Sequence, residues 1–325
     1  MSLIGNDAAR EAFVAAAEGT ALHHTWLLTG PEGVGKGGFA REMAMRLLAT
    51  ALDGQSRMRG AIGDDHRVAQ LMAAGAHPDY RALVRLPKDP DKPDQDIARS
   101  IKIDQVRTLQ PMFATKPALS PRRVVVIDAI DDLERPGANA LLKNLEEPPV
   151  GTIFLLVSHS PGRLLPTIRS RCRQLRFDPL REAEVARVLR NTLPDVDAAE
   201  VDALVAAADG SPGRALAYAG LSVAALDRDL VAIAETGDAD NRIRSRLAKA
   251  LAGKGAQPRY AVFLDRAPTL IAGAARNRSG AALRDALDAY DKARALASMA
   301  PALSLVAETT VFEMAGLVAR LAPAR

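Results

Sequence analysis

Residues 124–149 read VVVIDAIDDLERPGANALLKNLEEPP, and this stretch decides the fold. Its first four residues form a short apolar run bounded by turn residues, which is typical of a central strand in a parallel sheet. The part from Asn139 to Pro149 predicts an amphipathic helix with leucines on its buried face and two prolines at its end. A second apolar run, 153–157, follows. Strand, helix and strand in this order indicate a βαβ unit and therefore an α/β fold.

The same alternation is visible toward the N-terminus. Residues 25–28 are typical of a short buried strand, and after a glycine-rich turn a helix is expected over 35–48. Asp7 is expected to cap an earlier helix that ends near Ala17. Strand, glycine-rich turn and helix together form the unit that commonly binds phosphate.

Two features lie between these regions. Residues 87–94 are rich in charge and proline, which predicts a solvated loop. Apolar residues recur with helical spacing over 103–114, which predicts one amphipathic helix. The βαβ architecture is expected to extend to about Phe177.

Beyond Pro179 the strand signals vanish, and the rest of the chain is expected to be all-helical. The segment 209–213, DGSPG, interrupts the first helical group. We therefore expect an α/β module over 1–177, a small helical lid domain over 178–221 and a larger helical domain over 222–325. Helices are predicted at 181–193, 197–208, 213–220, 223–235, 240–252, 258–275, 280–297 and 301–321.

Composition narrows the class of protein. At 325 residues the chain exceeds the usual size of a single core, and hydrophobic residues at 48% can supply more than one. The net charge of +4 is compatible with contact to DNA but does not require it. A single cysteine excludes internal disulfides and cysteine-based zinc clusters, and fits a reducing compartment. No run approaches the roughly 18 apolar residues of a membrane span, so we expect a cytoplasmic protein without membrane contact.

The turn at residues 30–37 reads GPEGVGKG and matches the phosphate-loop pattern up to its last position. Gly30, Gly33 and Gly35 let backbone N–H groups turn toward phosphate oxygens, and Lys36 can reach a terminal phosphate. Gly37 stands where the pattern has the Ser or Thr whose hydroxyl coordinates Mg²⁺. The alternative is that the turn is only a tight connection between strand and helix.

Asp128 ends an apolar strand, which is a suitable position for the acidic residue that holds magnesium through water. Together with the glycines and Lys36 it forms the candidate nucleotide site. With the metal-coordinating hydroxyl missing, we predict no bound metal and no required cofactor, although residual ATP or ADP binding stays open.

The helix motif 139–149 and the triplet Ser170-Arg171-Cys172 together resemble the clamp-loader subunits of bacterial DNA polymerase III, members of the AAA+ superfamily. Asn144 departs from the family, which usually has Thr there. The resemblance covers most of the chain and is strongest over 26–177. It implies a RecA-like AAA+ module, a helical lid and a helical collar domain for oligomerisation.

The resemblance also implies roles for individual residues. Arg171 matches the arginine that projects from one subunit into the nucleotide site of its neighbour, where it stabilises the transferred phosphoryl group. Ala129 holds the place of the glutamate that orients the attacking water, and Asp131 or Asp132 are the alternatives for that role. Ser158 is the nearest match to a phosphate-sensing residue at a strand end.

Two further positions depart from active members of the family. Gly213 occupies the place of a second sensing arginine, and Arg214 lies one position later. The stretch 75–80, GAHPDY, commonly follows a four-cysteine zinc module, but no cysteine precedes it here. His66 and His77 alone do not complete a tetrahedral site, so no zinc is predicted.

Within the family the pattern is closest to the δ′ type, which does not hydrolyse ATP. The resemblance implies a hetero-pentameric ring with γ/τ and δ subunits, in which the complex loads the sliding clamp on primed DNA as part of the DNA polymerase III holoenzyme. Arg171 then serves a γ/τ ATPase site in trans. The alternatives are an active γ/τ-type ATPase subunit, and a stand-alone DNA-binding module that uses Lys116, Arg122 and Arg123.

Overall fold

The computed structural model describes residues 3–19, 22–54, 58–89, 91, 97–302 and 306–323. Two compact units make up the chain. The first contains residues 1–184 together with 210–213, and the second contains 185–209 together with 214–325.

The first unit is built on a five-stranded parallel sheet with the strand order β2-β3-β4-β1-β5. The predicted strands at 25–28, 124–127 and 153–157 are confirmed as the three central strands, each within one or two residues of its expected bounds. The strands are β1 (Thr25–Thr29), β2 (Tyr80–Val84), β3 (Arg123–Asp128), β4 (Thr152–Ser158) and β5 (Arg173–Arg176). The helices are α1 (Asp7–Glu18), α2 (Lys36–Asp53), α3 (Arg67–Ala73), α4 (Ile103–Arg107), α5 (Leu109–Phe113), α6 (Arg135–Glu146) and α7 (Pro166–Arg169).

Both faces of the sheet are covered by helices, which explains why its central strands are continuously apolar. Every residue of β1 and β4 is buried. On one face, residues such as Ile127 and Phe154 pack with α4, α5 and α6. On the other, the ring of Phe39 in α2 makes edge contacts with Phe13 at 5.7 Å and Phe177 at 5.1 Å between centroids.

Two helix predictions need correction. The first helix begins at Asp7, but its N-cap is Asn6, and neither side chain makes the predicted capping hydrogen bond. The single helix expected over 103–114 is two short helices, α4 and α5, that meet at Thr108. Pro111 explains the break, because it has no N–H to donate to the carbonyl of Arg107 and is tolerated only in a first turn.

The sequence analysis did not identify the two edge strands. β2 reads YRALV, in which an arginine interrupts a short segment with one buried residue, and β5 reads RQLR, with leucine as its one apolar residue. Edge strands face solvent on one side and commonly carry charge, so they lack the apolar run that marked the central strands.

The second unit is all-helical over its described residues, as the sequence predicted. Its helices are α8 (Glu182–Thr192), which starts in the first unit, α9 (Ala198–Ala208), α10 (Pro212–Tyr218), α11 (Val223–Thr236), α12 (Arg242–Leu251), α13 (Gln257–Arg276), α14 (Gly280–Ala302) and α15 (Ala307–Ala319).

Charged side chains form hydrogen bonds and an ion pair between these helices. The carboxylate of Glu200 accepts the N–H groups of Val223 and Ala224 at the start of α11, at 3.1 and 3.3 Å. Arg266 in α13 makes a two-pronged pair with Asp227 in α11, at 3.0 and 2.7 Å. Such bidentate pairs fix geometry as well as charge.

Parts of two predictions lie outside the described residues. These parts are residues 90 and 92–94 of the expected loop at 87–94, and residues 303–305 of the helix expected at 301–321. The described part of that last helix, α15, starts at Ala307.

Candidate functional site

The predicted phosphate-site residues lie together at the carboxyl-terminal end of the sheet. Gly30 follows β1, Asp128 ends β3 and Ser158 ends β4. Because all strands run parallel, their carboxyl ends meet at one edge, which is where α/β proteins bind ligands. The structure therefore brings the sequence-predicted loop and acid into one site.

The loop has the backbone that the glycines predict. Gly30, Gly33 and Gly35 all have positive φ, at 144°, 78° and 98°. At Gly30 a side chain would also collide with the carbonyl oxygen of Phe177. Only glycine meets both demands at position 30 without strain.

The ammonium group of Lys36 is hydrogen-bonded to carbonyl oxygens of its own loop. Its side chain is buried, with 2% of the residue exposed. Its ammonium donates to the carbonyl oxygen of Gly30 at 2.6 Å and to that of Pro31. Burial lowers the pKa of Lys36 to about 8, and the nearby carboxylates of Asp128, Asp131 and Glu32 oppose only part of that shift. The charge that would meet a terminal phosphate is already bound inside the protein.

Gly37 lies directly beneath the carboxylate of Asp128. A Cβ at this position would overlap Asp128 Oδ2 and lie 3.1 Å from Asp128 Cγ. A Ser or Thr at 37 therefore requires the carboxylate to move. Position 37 therefore lacks the metal-coordinating hydroxyl, and the space that such a side chain would need is occupied by the carboxylate of Asp128.

Residues 210–213 pack against the phosphate loop within the first unit. The hydroxyl of Ser211 donates to the carbonyl of Glu32 at 2.9 Å, and the N–H of Gly213 donates to that of Gly33 at 2.9 Å. A Cβ on Gly213 would lie 2.7 Å from Gly33 Cα. No arginine fits at position 213 without displacing this backbone.

The carboxylates near Ala129 have other partners. Asp131 accepts from the hydroxyl of Ser158 at 2.9 Å and from the N–H of His159 at 2.6 Å. Asp132 pairs with Arg85 at 3.1 Å, and its pKa is raised chiefly by burial. Asp131 therefore binds residues at the end of β4, including Ser158, and Asp132 binds the arginine that follows β2.

Arg171 lies at the opposite, amino-terminal end of the sheet, in the turn between α7 and β5. Its Nη2 contacts Glu146 Oε1 at 2.7 Å, and its Nη1 donates to the carbonyl of Thr167 at 2.7 Å. One third of its side chain remains exposed. The arginine is thus anchored by two acceptors and still open to solvent.

The two ends are separated by the length of the strands. β1 has five residues between the loop end and the amino-terminal end. At about 3.3 Å per residue, this length is roughly 16 Å. Arg171 is therefore too far from Lys36 to act on a phosphate bound by its own chain.

The surroundings of Arg171 include two histidines that precede β1 and the neighbouring Cys172. His24 contacts the carbonyl of Leu145 through Nε2 at 3.1 Å, and its ring stacks on that of His23 at 4.5 Å between centroids. The thiol of Cys172 donates to the carbonyl of Ile168 at 3.0 Å, and burial raises its pKa to about 12. Cys172 is a packing residue and not a nucleophile, since its thiolate is strongly disfavoured.

The two histidines considered for a zinc site, His66 and His77, cap local structure. Nδ1 of His66 accepts the N–H of Val68 at 3.1 Å, and its Nε2 lies 3.1 Å from Asp53 Oδ2. His77 is buried, and its Nδ1 accepts the N–H of Asp79 at 3.1 Å. Burial lowers the pKa of His77. Each histidine has a structural partner.

The basic residues proposed for DNA contact are not equivalent. Lys116 is exposed and Arg122 is half-buried. Arg123 is buried, donates to the carbonyl of Thr115 at 3.0 Å and lies over the ring of Phe113. The hypothesis that Arg123 contacts phosphate therefore disagrees with its position, because its guanidinium is buried and bonded within the protein.

Against this geometry, a family described as DNA polymerase III, delta subunit, matches residues 5–181, more than half of the chain. The chain belongs to the DNA polymerase III δ′ clamp-loader family. The α/β class predicted from the sequence, with a parallel-sheet module ahead of an all-helical part, is confirmed over the described residues.

Similar proteins are named as subunits of DNA polymerase III. The DNA polymerase III subunit delta′ of Pseudomonas aeruginosa is 40% identical over 195 residues, which cover 60% of this chain and 55% of that protein. The delta′ subunit of Escherichia coli is 33% identical over 210 residues, covering 64% and 58%. The tau/gamma subunit of Haemophilus influenzae is 31% identical over 214 residues, covering 64% and 28%. The chain thus spans little more than half the length of these δ′ family members.

Three contributions to the site were not found in the sequence. Glu146 was assigned only to a helix motif, Ser211 only to a breaker segment, and Asp131 only to a possible catalytic role. No spacing rule links these residues to Arg171, the phosphate loop or Ser158, because the contacts are made across the fold. Among the described helices, none is both long and apolar enough to cross a membrane.

Proposed function

We propose that this δ′ family member is a non-hydrolysing clamp-loader subunit that donates Arg171 in trans to a neighbouring ATPase subunit. The observation that carries this proposal is the position of Arg171 at the end of the sheet opposite its own phosphate loop. There it is anchored and partly exposed, and the length of β1, roughly 16 Å, separates that end of the sheet from the phosphate loop. An arginine placed in this way is out of reach of its own phosphate loop and open to a phosphate held by another chain.

The contacts of the loop support the absence of hydrolysis. Lys36 is engaged by loop carbonyls, Asp128 overlies Gly37, and Gly213 packs on Gly33. Hydrolysis also needs a residue that orients water, and Ala129 has no group for that task. The subunit then requires no cofactor and no zinc, and any ATP or ADP in the loop has no catalytic consequence.

The proposed partners follow from the family. The subunit would assemble with γ/τ and δ subunits in a ring of five and act on the sliding clamp and primed DNA through that complex, in the cytoplasm. The complex belongs to the DNA polymerase III holoenzyme, so polymerase activity resides at the level of the assembly. We also propose the division into an AAA+ module over 1–177, a lid over 178–221 and a collar over 222–325.

Reconstitution tests the proposal directly. The loader is assembled with its partner subunits, and its ATPase activity is measured with clamp and primed DNA. The wild-type chain, the Arg171→Ala variant and no chain are compared. We expect turnover at the adjoining site to fall by roughly 10³-fold with Arg171→Ala while the complex still assembles. In this role Arg171 is an arginine finger, an arginine that acts on the nucleotide of a neighbouring subunit. If Arg171→Ala leaves turnover unchanged, the assignment of Arg171 as an arginine finger is wrong.

An active γ/τ-type subunit is the second candidate. The similarity to a tau/gamma subunit and the retained loop with Lys36 favour it. Its test is steady ATP turnover by the isolated chain. Turnover that disappears with Lys36→Ala would support this candidate and contradict the non-hydrolysing assignment.

A further inference from the structure

Glu146 and Arg171 meet at the amino-terminal end of the sheet although 24 positions separate them in sequence. Their side chains are joined at 2.7 Å. From this contact we propose that Glu146 is a positioning residue, which holds the guanidinium of Arg171 in the orientation that a neighbouring phosphate requires. The inference rests on the proposed function, since it concerns how the finger is presented.

The contact restricts a side chain that is otherwise free to move. An arginine side chain has several rotatable bonds and loses considerable entropy when fixed. Arg171 is held by the carbonyl of Thr167 in the preceding helix α7 and by Glu146 from α6, and Ser170 Oγ lies 3.4 Å from Nη1. Thr167 and Ser170 are neighbours of Arg171 in sequence, whereas Glu146 approaches from a distant part of the chain. It therefore fixes the direction of the guanidinium relative to the sheet.

Glu146 is itself placed by the core. The preceding residue, Leu145, is buried, with 1% of its surface exposed. Its carbonyl oxygen contacts His24 Nε2 at 3.1 Å, at the entry to β1. The end of α6 is thus fixed from two sides, so the carboxylate has a defined position from which to hold Arg171.

Enough donors remain for a phosphate. A guanidinium carries five N–H donors, and it favours planar contacts with phosphate oxygens. The contacts with Glu146 and Thr167 require one donor each. The exposed third of the side chain can present the others to an incoming phosphate.

A half-exposed ion pair contributes little to folding stability, so its removal should be visible in catalysis and not in unfolding. Glu147 is the matched control, because it has the same charge, is the next residue and lies beside the same surface depression. The variants are Glu146→Ala, Glu146→Gln, Glu147→Ala, Arg171→Ala, and Glu146→Ala combined with Arg171→Ala.

Each variant is assembled into the complete loader, and kcat and KM for ATP are measured with clamp and primed DNA. We expect Glu146→Ala to lower kcat by roughly fivefold with little change in KM, and Glu146→Gln to restore part of the loss. Glu147→Ala should match wild type. In the Arg171→Ala background the Glu146 change should have no further effect, because a positioning residue acts only through the group it positions.

The outcomes separate the two proposals. If Arg171→Ala abolishes turnover but Glu146→Ala behaves like Glu147→Ala, the proposed role of Arg171 is supported and the positioning role of Glu146 is wrong. An increase in kcat with Glu146→Ala would also overturn it, since the carboxylate would then restrain the finger. An equal loss with and without Arg171 would indicate a merely structural role. If Arg171→Ala has no effect, the proposed function fails and the positioning role fails with it.

Discussion

The two ends of one parallel sheet have opposite relations to their own chain. At the carboxyl-terminal end, carbonyl oxygens of the phosphate loop accept hydrogen bonds from Lys36, Ser211 and Gly213 of the same chain. At the amino-terminal end, Arg171 is anchored at two points and left one-third exposed. One end has its lysine buried inside the protein, while the other presents a charged donor to solvent.

The difference shows that a loop can keep the backbone of a phosphate loop although its sequence departs from the pattern at Gly37. The glycines of residues 30–35 still adopt the left-handed conformations of a phosphate loop. Several of its carbonyl oxygens are bonded to groups of the same chain, so these contacts hold the turn without a ligand. At the amino-terminal end, by contrast, one third of the Arg171 side chain stays accessible.

The largest expected effect concerns the rigidity of the amino-terminal end. Because burial raises the pKa of Cys172 from 9.0 to about 12, its thiolate fraction falls by roughly a thousandfold. Alkylation by iodoacetamide at pH 8 should be slower by that factor in the folded protein than in urea. A rate close to the urea value would mean that the turn carrying Arg171 opens readily, and the contrast between the buried Cys172 and the exposed Arg171 would not hold.

The next effect tests whether the ammonium group of Lys36 is buried, through the pH dependence of stability. Its pKa is about 8 in the folded protein against 10.5 unfolded, so the unfolded chain binds more protons between these values. Stability therefore rises with pH from about 8 to 10.5 as this group loses its buried charge, by at most about 3 kcal/mol. Lys36→Met should flatten that rise in urea unfolding measured across the range.

The control for this measurement is Lys143→Met, which removes an exposed lysine of α6. Its stability should follow the wild-type pH dependence closely. If the Lys36→Met and wild-type curves run parallel, the lysine is not buried as a charge, and the loop is less closed than the structure indicates.

A smaller effect is expected where residues 210–213 pack on the loop. Gly213→Ala places a Cβ 2.7 Å from Gly33 Cα and should cost about 1–3 kcal/mol of unfolding free energy. Gly162→Ala is the control, because nothing lies within 4 Å of a Cβ there. It should change stability by less than about 0.5 kcal/mol. Equal effects of the two substitutions would argue against close packing of this segment.

The smallest effect compares two adjacent glycines of α2. At Gly38 a Cβ meets only Leu3 at 3.9 Å, so Gly38→Ala should stabilise the helix by about 0.5–1 kcal/mol. At Gly37 the overlap with Asp128 should make Gly37→Ala worse than Gly38→Ala by about 1 kcal/mol. In an Asp128→Ala background the two substitutions should become equivalent by chemical denaturation. A difference that persists there would assign the cost to something other than the carboxylate.

The sequence predicted the core of the fold better than its edges. Continuous apolar runs identified β1, β3 and β4 because these strands are buried on both faces. The edge strands β2 and β5 have no such run and were not identified. Pro111 divided a predicted helix because the apolar pattern reports which residues face the core but not whether every backbone hydrogen bond can form.

The sequence by itself also determined which chemical groups are present. The glycine-rich turn, the absence of a hydroxyl at 37 and of a carboxylate at 129, and the triplet with Arg171 are all readable from local spacing. Spacing is sufficient here because each motif is contiguous, and its backbone geometry follows from its own residues.

Only the tertiary structure decided how these groups are used. Asp128 overlies Gly37, Gly213 packs on Gly33, and Glu146 holds Arg171 across 24 positions of chain. These contacts join residues that are distant in sequence, and their distances depend on strand order and helix packing. Local spacing carries no information about them, since the chain must fold before the groups can meet.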